Sequence, residues 1–131
     1  MLETRFVFLI TATAALFLTF GMMPAAWAHA FPERSWPAVG STIQTAPEEI
    51  KIRFTEALSS SCQLMVKNGQ GEVVSLGEAA LIGKDNRILS VALKQPLPAG
   101  DYRVYWNVTA ADGHHSEGHY RFDIRQKTPN G

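Results

Sequence analysis

Sulfur is scarce in this chain. Its single cysteine, Cys62, excludes an internal disulfide. Three of its four methionines, Met1, Met22 and Met23, sit at the N-terminal end, so Met65 is the one thioether in the remainder. Thiolate and thioether donors of the kind that soft Cu(I) prefers are therefore nearly missing. Net charge is also missing: twelve basic residues balance twelve acidic ones. That balance argues against nucleic acid or an anionic membrane as the main partner. Beyond residue 28 there is no sustained helical period, and Pro37, Gly40, Pro47, Pro96, Pro98 and Gly100 recur as breakers.

One long apolar run is present, from Phe6 to Phe20, preceded by Arg5 and followed by Ala26-Trp27-Ala28. The arrangement predicts a secretory signal, residues 1–28, cut after Ala28 by its small-x-small pattern. No later stretch approaches the roughly 18 apolar residues needed to span a bilayer. The mature chain then starts at His29 and forms one small exported domain over residues 29–126, with a polar tail at 127–131.

Period-two alternation is the main structural signal. Ile50, Ile52 and Phe54 share a face, as do Cys62, Leu64 and Val66. Tyr102, Val104, Trp106 and Val108 form another set, and Tyr120, Phe122 and Ile124 a fourth. Shorter strands are expected at Glu72 to Leu76 and Arg87 to Leu93, with turns at Asn68-Gly69-Gln70-Gly71 and Gly83-Lys84-Asp85-Asn86. About seven short strands in about 100 residues predict an all-β Greek-key sandwich. Cys62 is expected in the core, Met65 outside it, and Trp106 and Tyr120 among the core aromatics.

Three of the four histidines fall in Asp112-Gly113-His114-His115-Ser116-Glu117-Gly118-His119, between the two strongest strands. Gly113 permits a tight turn there, and a spacing of two puts the Asp112 and His114 side chains on one side. The fourth histidine, His29, becomes the mature N-terminus after cleavage at Ala28. Its α-amine and imidazole Nδ1 can then chelate one metal, which no internal histidine can do. With His114 and Asp112 this makes three nitrogens and one oxygen, a tetragonal set suited to Cu(II). Taken alone, the Asp112 turn reads as an ordinary solvated turn, and it is the coincidence with an N-terminal His29 that points to a metal. His115 and His119 read as surface histidines. Glu56, just after the Ile52–Phe54 strand, can supply a further oxygen or a hydrogen bond to a bound imidazole.

These residues resemble the CopC family of periplasmic copper-binding proteins, including its smaller YobA-like members. The likeness runs from His29-Ala30 through Ser35-Trp36-Pro37-Ala38-Val39-Gly40-Ser41, Ala46-Pro47 and Ile52-Arg53-Phe54-Thr55-Glu56. It continues in Pro98-Ala99-Gly100-Asp101-Tyr102-Arg103-Val104-Tyr105-Trp106, Ala111-Asp112-Gly113-His114 and Gly118-His119-Tyr120-Arg121-Phe122. The resemblance implies a cupredoxin-like or immunoglobulin-like sandwich with one Cu(II) at one end, held by His29, Asp112 and His114 with Glu56 nearby. It also implies an inner-membrane partner resembling CopD. Family members that bind Cu(I) carry a Met-rich loop, whereas this chain has only Met65, which points to a Cu(II)-only member.

The expected role is a monomeric, non-enzymatic periplasmic protein that sequesters or delivers copper in homeostasis and resistance. Two other readings compete. A histidine brace also serves copper oxygenases that cleave polysaccharides, although a small domain offers little surface to grip a polymer. A plain immunoglobulin-like interaction module would have no metal affinity. Zinc competes for the same donors.

Overall fold

A computed structural model describes residues 29–127; the expected signal segment and the last four residues of the tail lie outside this range. Eight strands are formed: β1 (Pro32–Trp36), β2 (Thr42–Ile43), β3 (Glu49–Phe54), β4 (Gln63–Asn68), β5 (Ser75–Ile82), β6 (Ile88–Leu93), β7 (Gly100–Thr109) and β8 (His115–Ile124). They make two four-stranded sheets, ordered β1-β3-β6-β5 and β2-β8-β7-β4. All pairings are antiparallel except that of β2 with β8. The expected all-β sandwich is the observed fold.

The period-two sets supply the interior. Ile50, Ile52 and Phe54 from one sheet meet Val66, Val104, Val108, Phe122 and Ile124 from the other, all essentially inaccessible to solvent. Phe54 meets the Trp106 ring edge to face at 5.5 Å, and Tyr102 stacks on Phe122 at 5.3 Å. Such pairs add directional preference to the apolar burial that drives folding. Trp106 lies directly opposite Gly118 on β8, where a Cβ would stand only 2.5 Å from the indole ring. The missing side chain of Gly118 is the space the indole uses.

Three elements differ from expectation. β1 and β2 were not anticipated: β1 buries only Ser35, and β2 has two residues, so neither carries an apolar alternation. The strand expected at Glu72 to Leu76 forms instead at Ser75–Ile82, with an irregularity after Leu76 and Gly77 at φ +66°. That edge strand is mostly exposed, so its alternation is blurred. Cys62 sits at the margin of the core, half-buried, and its thiol donates to the Ser59 carbonyl at 3.2 Å. Burial pushes the thiol pKa up, which keeps it protonated and unreactive. Met65 faces outward as expected.

Candidate metal centre

The site is built at one end of the sandwich from the β7–β8 turn and the segment before β1. The ladder closes at Thr109 opposite His115, and the loop between them is tied by Ala110 N–H to the His114 carbonyl and Gly113 N–H to the Ala110 carbonyl. Gly113 has φ +92°, a conformation that a side chain would strain. One Asp112 oxygen accepts the His114 amide at 3.0 Å, and the other lies 2.8 Å from His114 Nδ1. This is an Asx turn extended to the ring of the residue it caps. The His114 amide, then its imidazole, hold the Asp112 carboxyl below its usual range. With Nδ1 facing the carboxylate, the orientation of the His114 ring is set by Asp112.

The N-terminal segment is brought to this turn by bonds that do not involve histidine. Ala30 is fully buried, and its carbonyl accepts the Ser116 hydroxyl at 2.6 Å. Phe31 exchanges bonds with Thr55, its amide to the Thr55 hydroxyl at 3.1 Å and its carbonyl from the Thr55 amide at 2.9 Å. His29 is thereby set beside the turn, its ring 5.7 Å from that of His114 and 5.9 Å from that of Phe31. Both histidines are half-buried.

Glu56 stands in the segment joining the two halves. Thr55 before it holds Phe31, and the Ala57 carbonyl after it accepts the Ala111 amide at 2.8 Å. The Glu56 side chain makes no hydrogen bond or ion pair among the described residues. His115 is directed away from this site, its Nε2 2.6 Å from the Asn107 amide oxygen, and His119 lies beside Tyr105 at 5.9 Å on the outer face. Both are exposed, as expected of surface histidines.

Four of the expected residues thus occupy the same end: His29 and His114 face each other, Asp112 is turned onto His114, and Glu56 is placed between the two halves. Among the described residues, no three His, Cys, Asp or Glu side chains are gathered as a metal cage. Sequence reasoning missed Ser116 and Thr55, whose hydroxyls seat the N-terminal segment. Nothing in their local pattern distinguishes them from other strand-edge hydroxyls.

Comparison with known proteins gives a consistent picture. Residues 33–125 match the model of the CopC domain. Protein YobA of Escherichia coli K12 is 30% identical over 112 residues, covering 85% of this chain and 90% of YobA. The crystal structure of PcoC, a methionine-rich copper resistance protein from E. coli, superposes with a TM-score of 0.61 at 30% identity, over 75% of this chain and all of PcoC. CopC from Methylosinus trichosporium OB3b has a TM-score of 0.70 at 24% identity, over 76% of this chain and 97% of that one.

Proposed function

Because the chain belongs to the CopC family and its function is therefore copper-related, we propose that it binds one Cu(II) per chain in the periplasm, for sequestration or delivery rather than turnover. The observation that carries this reading is the pairing of His29 with His114, 5.7 Å between ring centres, on a segment fixed by Ser116 and Thr55. Cleavage after Ala28 turns the His29 nitrogen into a primary amine. The amine, His29 Nδ1 and the His114 imidazole then supply three nitrogens, which with one carboxylate oxygen suit Cu(II) near the top of the divalent order.

Asp112 is the natural source of that oxygen or, in the arrangement seen, the group that orients His114. Loss of such an orienting partner commonly costs about 10–100-fold in metal affinity. Replacement of Asp112 by Ala should therefore weaken Cu(II) binding on that scale, and replacement of His114 by Ala should weaken it more. PcoC is described as methionine-rich, whereas this chain keeps only Met65 beyond residue 28, which favours Cu(II) over Cu(I). A soluble chain at this station would hand copper to a membrane partner such as a CopD-like protein and act as a monomer.

Intact mass spectrometry of the exported protein, with and without Cu(II), tests cleavage and stoichiometry together. A mass starting at His29 that gains one copper supports the reading. A chain that starts elsewhere and takes up no copper overturns it.

A further inference from the structure

The outer face of the β2-β8-β7-β4 sheet carries charge in an unusual order. Lys67 on β4 pairs with Arg103 on β7, and Arg103 pairs with Arg121 on β8, so three cations lie side by side across three strands. Like charges directly opposite each other destabilise a sheet. Among the described residues this cost is offset only in part, by the attraction between Arg121 and Asp123. Among the described residues, every ion pair of a lysine or arginine belongs to β3: Lys51 to Glu49 at 3.0 Å, and Arg53 to Glu33 and Asp85 at 3.2 and 2.9 Å.

The carboxylates nearest the row form no close ion pair with it among the described residues. Asp101 and Asp123 are the next pair along β7 and β8, and the neighbouring Asp101 carboxyl raises the Asp123 pKa against the opposing pull of Arg121 and Arg125. The three cations instead line one cleft of about 300 Å³, walled by the Asn68–Gly71 turn and by Tyr105, whose ring lies 5.5 Å from Lys67 Nζ. Asp101 also borders this cleft, and it is the one acid there.

We propose that this cleft is a binding site for a phosphate-class oxyanion, held by Arg103 and Arg121 with Lys67 as a third charge. Two guanidinium groups offer planar forks that match tetrahedral oxyanions, and an ammonium adds a point charge. The site lies on the sheet face, away from the histidine end, and stands independently of the copper reading. The oxyanion is either a free small anion or a lipid headgroup.

The test uses the exported protein without added metal, because pyrophosphate itself chelates copper. Inorganic pyrophosphate is titrated at low salt while amide chemical shifts are followed. Saturable shifts confined to the neighbourhoods of Lys67, Arg103, Tyr105 and Arg121 are expected. The paired substitutions Arg103→Gln and Arg121→Gln should weaken binding by about tenfold or more, whereas Lys51→Gln should leave it unchanged. Co-sedimentation with phosphatidylglycerol vesicles but not phosphatidylcholine vesicles, lost in the double variant, would identify a headgroup; saturable pyrophosphate binding without sedimentation would identify a free anion. Absence of saturable shifts together with absence of sedimentation overturns the proposal, as does binding that the double variant retains.

Discussion

Midway along the β7–β8 hairpin, Trp106 fills the space over Gly118 and meets Phe54 within the buried apolar core. At the hairpin's tip, His114 faces His29 from a turn tied by a few local bonds, with about a third of its side chain exposed. The same two strands therefore serve two purposes. The interior is held by many mutually supporting contacts, so losing one should be felt by the whole fold. The tip is held by named single bonds, so losing one should be felt mainly by the ligand.

Truncating Trp106 to Ala should have the largest effect on the fold, about 3–5 kcal/mol of stability, as for other large aromatic deletions. Denaturant unfolding measures it, and an unchanged midpoint would erase the contrast. Adding a methyl in place of the Gly118 hydrogen should cost about 1–3 kcal/mol, since the indole is packed and has nowhere to go. Thermal melting would show this, and a neutral Gly118→Ala would mean that the indole moves freely.

Tyr120 sharpens the comparison by pH. Its hydroxyl is buried near Ser35 without a hydrogen bond of good geometry, and burial pushes its pKa up to about 12. A phenol raised in the folded state contributes stability that is complete below its unfolded pKa of about 10 and is lost as pH rises from there through the folded value. Ultraviolet titration of tyrosinate should therefore show Tyr120 ionising last, together with unfolding. Tyr120→Phe should reduce the alkaline loss, to which the buried Tyr102 phenol, also pushed up, still contributes, and should cost little at neutral pH, because it removes a buried group that has no good partner.

The smallest effect on the fold is expected at the tip. His114→Ala should change stability by no more than about 0.5 kcal/mol, as for other partly exposed positions. Cu(II) binding should nonetheless collapse, while His115→Ala, whose ring is occupied with Asn107, should bind as the parent does. Calorimetric titration of both variants separates these outcomes. A large stability loss for His114→Ala would show that the tip belongs to the core after all.

This difference also governs what the sequence discloses. β3, β4, β6, β7 and β8 were legible because each buries alternate apolar residues, and a period of two is visible without any partner. β1 and β2 were not, because their place comes from pairing with β3 and β8 and their buried positions are few or polar. At the site, the turn could be read from Asp112-Gly113-His114, where the aspartate acceptor and the glycine φ are local matters. That His29 would lie beside it depends on Ser116 reaching the Ala30 carbonyl across 86 positions of chain, a contact no local pattern announces. The direction of Asp112 toward His114 Nδ1 was likewise not visible, since spacing fixes a side but not a partner.

The central claim is that the free N-terminus of His29 and the ring of His114 hold one Cu(II) together. One added residue before His29 removes the primary amine and breaks the chelate ring while leaving every side chain in place. Protons compete with a metal for amine and imidazole donors in general, so binding in the parent should also weaken as pH falls. Electron paramagnetic resonance and competitive titration of the extended protein against the correctly cleaved one decide the matter. The account predicts a changed spectrum and a loss of Cu(II) affinity comparable to that of His114→Ala; one Cu(II) retained with unchanged spectrum and affinity would contradict it.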